Sequence, residues 1–379
     1  MTLITFSDID SVLKKVIAPK IESQYAKGTL LLDALPSNRA TKDPMNQYFY
    51  ITLRYSRNPA IGPLTTGWAL PTAGNPKYDQ TRIDCKYIVG RFQLPEPILD
   101  SARNSKQALV NLLTDHSEDL QEGMKKDTNR MLFGDGTGQL ALCNGGNVTT
   151  ATTALAAVDT PGTDYLYEGL ELEINGQDTS VSKVLSATAV TLGTAVTWDD
   201  NDVITKRVKT DWMGLGGIVA ITGTVQNIAK GDYYWWQSHV DSDAEALTLA
   251  DMQAQFRNVE KFGKCDLIVT NPVTRDAYSA LLTSYKTMGL PVENKFGYKG
   301  PEFNNVPVIG DFDCPEGTMY MLDKSALSRE QLVPMGWMDR EGHVLKSVPG
   351  YAAYEAILKN FGNLATNNCK KLAKLTGKT

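Results

Sequence analysis

Three glycine-rich runs have the first claim to chemistry in this 379-residue chain, because glycine loops can cradle phosphates. Gly134-Asp135-Gly136-Thr137-Gly138 follows a helical pattern, whereas a phosphate loop follows a strand and opens a helix. Gly214-Leu215-Gly216-Gly217 has Val219 where a dinucleotide fingerprint needs its third glycine. Gly377-Lys378-Thr379 copies the end of a P-loop, but Leu372 stands at the first glycine position. None of the three has the context of a nucleotide site, and no cofactor is expected.

The remaining reactive residue types are scattered. His116, His239 and His343 lie far apart with no partner motif, and no GxSxG, HExxH or Cys/His arrangement is present. Asp199-Asp200-Asn201-Asp202 and Asp241-Ser242-Asp243-Ala244-Glu245 lack a twelve-position calcium loop, and read as a turn and a helix start. Lys370, Lys371 and Lys374 read as a solvated face. Tyr233-Tyr234-Trp235-Trp236 is the densest aromatic cluster. It could stack a sugar or a base in a β-rich carbohydrate- or ligand-binding protein, but core or interface burial is commoner. No catalytic or metal-binding residue is assigned, and an enzyme is not expected.

Composition narrows the class further. A net charge of -5 gives no basic excess of the kind a nucleic-acid reader carries. Cys85, Cys143, Cys265, Cys314 and Cys369 are odd in number and widely spaced, which suits reduced thiols in the cytoplasm. There is no apolar run long enough to cross a membrane, and the first residues lack a signal-peptide pattern.

The elements that would position these residues are more informative. Residues 106–133 form one helical stripe through Leu109, Leu113, His116, Leu120 and Met124, with Ser105 as N-cap and Gly134 as the left-handed stop. Such a helix would run ~40 Å, long for a compact domain. Residues 47–54 and 80–92 read as strands, separated by a loop dense in Pro and Gly. A loop of that length sits badly inside a domain, so the hairpin is expected to project, with Trp68 and Leu70 buried against a neighbouring chain. Residues 7–18 read as a short helix, followed by a polar arm to about Pro44 that lies on something else. Residues 145–157 read as a linker, and 165–208 as a β-rich module with a hairpin turn at Asn175-Gly176. From Gly214 the pattern is mixed: helix near 249–259, strand at 266–270, a helix opened by Asn271-Pro272, strands at 306–309 and 319–322, and an extended segment over 354–366.

Several segments together resemble the major capsid proteins of tailed double-stranded-DNA bacteriophages. They are residues 129–138 (Asn129-Arg130-Met131-Leu132-Phe133 into the glycine loop), Tyr234-Trp235-Trp236-Gln237, residues 267–278, residues 303–309, and Asn360-Phe361-Gly362-Asn363-Leu364 before the basic tail. The resemblance implies an α+β chain with the Hong Kong 97-like fold. Its parts would be an N-terminal arm (1–46), an extended loop (47–95), a peripheral domain with a spine helix (96–145 and 346–379), an axial domain (213–345) and an inserted β module (146–212). It implies a structural protein that self-assembles as hexamers and pentamers into an icosahedral head enclosing DNA. A separate scaffolding protein, a portal and decoration proteins would be partners, DNA contact would be non-specific, and assembly would occur in the host cytoplasm. A bacterial nanocompartment shell of the same fold is the alternative. Some relatives crosslink through a Lys–Asn isopeptide bond, for which Lys77 and Asn360 or Asn363 would be the residues here.

Overall fold

The computed structural model describes residues 30–39, 48–63, 70, 72–97, 106–155, 158–159, 162–207, 211–284, 301–339 and 343–378. The expected helix over 7–18 and Trp68 lie outside these residues. The chain is α+β and divides into two compact units, Asp127–Gly217 and the remainder.

In the larger unit, one sheet is built on the long strand Ala353–Thr366. That strand pairs antiparallel with Leu327–Trp337 and, over Ala353↔Pro95 to Gly362↔Lys86, with Lys86–Pro95. The helix Lys106–Phe133 has the bounds its apolar spacing predicts. Its Leu113 and Met124 pack with Leu94, Met335, Trp337, Ala356 and Leu358. Gly90 permits this approach, since a Cβ there would lie 2.9 Å from Leu120 Cδ1.

Strands Tyr48–Arg54 and Tyr78–Asp84 form a hairpin, in register from Tyr48↔Asp84 to Arg54↔Tyr78; the strand expected over 80–92 breaks at Cys85, and Lys86–Pro95 belongs to the first sheet instead. Alternation turns Phe49 and Leu53 inward, Phe49 onto Ile83 and Ala365, Leu53 onto Ile228 and Trp236. A second sheet of six strands runs His239–Asp241, Leu372–Leu375, Met319–Leu322, Leu267–Thr270, Val306–Gly310, Glu302–Phe303. Helices Leu249–Glu260 and Pro272–Ser284 contribute Met252, Phe256, Val259 and Tyr278 to its core. The first of them is capped by Thr248, whose hydroxyl accepts from the Asp251 N–H at 3.2 Å.

The smaller unit is a seven-stranded sheet around one core that includes Leu140, Leu172, Ile174, Val190, Trp198 and Ile204. Asn175 (φ 48°) and Gly176 (φ 74°) make the hairpin turn, both left-handed as a two-residue turn of this hand demands.

Four further expectations are corrected. Residues 147–155 are a strand, pairing with Ala189–Trp198, where a linker was expected. Threonine and valine favour the extended chain even without large apolar alternation. The N-terminal segment does not lie wholly on something else. Leu31, Leu32 and Leu35 are buried in this chain, and Ser37–Arg39 pairs parallel with Leu327–Trp337. Lys370 is buried and Lys374 half-buried, because both follow a chain that enters the six-stranded sheet. Residues 241–245 do not start a helix; the helix begins at Leu249.

Candidate assembly surfaces

Past its ladder the hairpin continues into a loop, described at residues 55–63, 70 and 72–77. Tyr55 N–H donates to the Lys77 carbonyl at 3.2 Å, a backbone bond that closes the two strands just past the ladder. Beyond it the loop's two limbs touch at Pro59 and Gly74, where a Cβ would meet Pro59 Cγ at 2.6 Å. Leu70 is 79% exposed and Ile61 76%. Exposed Arg54, Arg57 and Lys77 make this end basic.

The residues named along the helix fall on different sides. Leu113 and Met124 are core, Leu120 is half-buried against the same cluster, and exposed His116 stacks on Phe92 at 5.9 Å. Leu109 lies in the helix with its side chain outside the described residues. The solvent face shows Glu118, Asp119 and Glu122, with Glu122 bridged to Lys126 at 3.1 Å. Among the described side chains that face is acidic.

The aromatic cluster is a short 3-10 turn whose members diverge. Trp236 is buried, its Nε1–H donating to the Val225 carbonyl at 3.2 Å. Trp235 stacks on Tyr55 at 5.2 Å, and Tyr234 lies over the Lys370 ammonium at 3.6 Å. Each is engaged by its own chain, so they do not present one flat platform to a sugar.

The glycine runs have a packing role that their motif-like spacing hid. Within the smaller unit, residues 214–216 lie against the end of the helix. A Cβ on Gly214 would sit 2.2 Å from Met131 O, and one on Gly216 2.8 Å from Phe133 O. Glycine is needed there for close backbone approach. The same region holds Arg130, whose guanidinium donates to the buried Asp211 carboxylate at 2.6 Å. Lys206 pairs with Asp127.

Little here is poised for reaction. Among the described residues no group of three His, Cys, Asp or Glu side chains could hold a metal ion. All five cysteines are buried and none is in a disulfide. Burial pushes the thiols of Cys143 and Cys265 up to about 12, which keeps them protonated and unreactive. His239 is held below its ordinary pKa by burial, then by Lys370 and Lys261. Lys230 is fully buried and donates to the carbonyls of Ile218 and Ala220, tying the turn ahead of the aromatic cluster. Asn360 and Asn363 are 0% and 5% exposed, Asn363 donating to the Asp84 carbonyl at 2.9 Å. Neither carboxamide is open to a lysine from outside the strand.

The hairpin, the long helix packed against the first sheet, and the six-stranded α/β layer belong to a fold that phage capsid proteins share. The chain is similar to the cyanophage A-1(L) capsid protein, with 14% identity over 94% of this chain and 93% of that one, at a TM-score of 0.55. Looser likenesses are to the SrpI encapsulin of Synechococcus elongatus (11% identity, 92% and 86% covered, TM-score 0.49) and the capsid of a native GTA particle (9%, 94% and 91%, 0.47). At these identities the likeness establishes the fold alone. No protein-family model and no curated protein sequence matches the chain. Among the described residues no helix is long and apolar enough to cross a membrane.

Proposed function

We propose that this chain is the shell subunit of a phage head, a major capsid protein that assembles with copies of itself around double-stranded DNA. The observation that carries the reading is the fold shared with the cyanophage capsid protein over 94% of the chain. The role is structural rather than catalytic.

In this reading the arm (1–46), extended loop (47–95), peripheral parts (96–145 and 346–379) and axial domain (213–345) do the assembling, and 146–212 is an inserted module. The loop of one copy lies over the helix of the next. Charge supports that pairing: Arg54, Arg57 and Lys77 on the loop would face Glu118, Asp119 and Glu122 on the helix. Leu70 and Trp68 would supply apolar burial at the centre of the contact. Copies would form hexamers and pentamers, because head-to-tail contacts close into rings. Scaffolding, portal and decoration proteins would be partners, and DNA contact would be non-specific, in keeping with the net charge of -5. The virion shell would be its final place, after assembly in the host cytoplasm.

Electron microscopy of the purified protein, alone and co-expressed with its neighbouring genes, tests this. Closed shells or rings are expected. Protein that stays monomeric under every such condition would remove the reading.

A further inference from the structure

One corner of the larger unit gathers positive charge with no carboxylate to answer it. His239 lies in the edge strand His239–Asp241, and its ring stacks on Phe262 at 5.9 Å. Exposed Lys261 follows helix Leu249–Glu260, with its ammonium 5.6 Å from the centre of the same Phe262 ring. Lys370 comes from the turn Cys369–Lys371 and is 6% exposed, its ammonium capped by Tyr234. The Lys370 backbone hydrogen-bonds the His239 ring and so ties the turn to the strand. Nε2 of that ring is buried and has no partner among the described residues.

The chemistry of this corner suits one class of ligand. The chain has 43 acidic side chains against 38 basic ones, yet neither Lys261 nor Lys370 forms a salt bridge among the described residues. Neighbouring Lys371, by contrast, pairs with Asp323 at 3.2 Å. The charged groups that act on His239 are Lys370, from the turn, and Lys261, from the helix end, and no carboxylate is among them. Two ammonium groups beside one imidazole repel a third positive charge and favour a negative one. A tetrahedral oxyanion has several acceptor oxygens, so it can take N–H donors from Lys261 and His239 together. Lys261 and Phe262 are exposed and change rotamer readily, which makes the rim of the site adjustable.

We propose that His239, Lys261 and Lys370 form a binding site for a phosphate group, supplied by free inorganic phosphate or by the backbone of DNA. Lys261 and His239 Nε2 contact the oxyanion, Lys370 adds charge from beneath Tyr234, and Phe262 forms a wall. The site lies within one subunit, so it does not depend on the shell reading. Binding brings a proton with it. Burial and the two lysines hold the free imidazole below its ordinary pKa and keep it neutral. An anion offsets the lysines, so Nε2 takes up a proton and donates it to the oxyanion. Affinity therefore rises as pH falls.

The test titrates the whole chain with sulfate, which keeps its charge near neutral pH, at an ionic strength held constant with sodium chloride. The His239 ring signals, assigned by their loss in His239→Gln, should titrate about one pH unit higher with sulfate bound, a tenfold gain in proton affinity. Lys261→Gln changes an exposed side chain and should weaken sulfate binding about tenfold. Lys183→Gln removes the same charge from an exposed site in the unit Asp127–Gly217 and should leave binding unchanged. Inorganic phosphate and a short DNA duplex are then compared as competitors, and the one that displaces sulfate at the lower phosphate concentration is the source. A His239 midpoint indifferent to sulfate, or wild-type binding by Lys261→Gln, would overturn the proposal. So would sulfate that neither competitor displaces. None of these results bears on whether shells form.

Discussion

Asp33 shows how one side chain can record a conflict between burial and charge. It sits in the short helix Leu30–Ala34, among Leu31, Leu32 and Ala34, which are buried. Burial pushes its carboxyl up to about 6, against the opposing pull of Arg329 and Lys125. A carboxyl whose folded pKa lies above its unfolded value of 3.8 binds its proton more tightly when folded. Its favourable contribution is therefore full below pH 3.8 and is lost as pH rises through about 6. Asp33→Asn keeps the shape and removes the charge. The variant should unfold at higher temperature than the wild type at pH 8, with the difference shrinking towards pH 4. A constant difference across that range, read from melts in matched buffers, would contradict the assigned cause.

At the scale of elements, one glycine on the long helix and one packed against its end have opposite reasons to be there. Gly214 is required by contact: a methyl group would drive into the Met131 and Gly134 carbonyls at 2.2 and 2.6 Å. Gly214→Ala should cost about 1–3 kcal/mol, as overpacking against rigid backbone does. Gly123 lies mid-helix with nothing within 4 Å of a would-be Cβ. Gly123→Ala should stabilise the subunit by about 0.4–1 kcal/mol through the unfolded chain. Urea titrations of both variants would check the signs; a stabilising Gly214→Ala would show that the helix end can yield. These two cases also mark what could be read before the structure. The helix bounds, the hairpin, the Asn175-Gly176 turn and the buried strands Leu267–Thr270 and Met319–Leu322 follow from spacing and local turn chemistry. The strand Asn147–Leu155 did not, since its Thr and Ala carry no alternating apolar signal. Leu30–Leu32 was a short apolar run inside a polar stretch, too brief to show periodicity. The packing role of Gly214 depends on a partner some eighty residues away, which no local pattern encodes. The lysines beside His239 were equally hidden, because Lys261 and Lys370 stand more than a hundred residues apart in the chain.

For the whole molecule, the order of strands decides how the larger unit holds together. Leu372–Leu375 lies inside its six-stranded sheet, parallel to His239–Asp241 on one side and antiparallel to Met319–Leu322 on the other. Ala373 and Leu375 face the core with Met319 and Met321, so the strand joins segments separated by more than a hundred residues. Lys378, just after it, is anchored by Asp251 at 3.3 Å and Asp241 at 3.8 Å. Losing this strand would leave two unpaired edges and an open core. Ala373→Pro removes the N–H that the ladder uses and fixes φ, so it should disrupt the sheet by about 3 kcal/mol or more. The unit Asp127–Gly217 has its own core, from Leu140 to Ile204, and shares none of these strands. The expected outcome is therefore selective: hydrogen exchange in Ala373→Pro should quicken across Leu267–Thr270 and Met319–Leu322 while Glu171–Ile174 and Val203–Lys206 keep their protection. Uniform loss of protection through both units would mean that they unfold as one, and that the core of the smaller unit does not suffice to hold it.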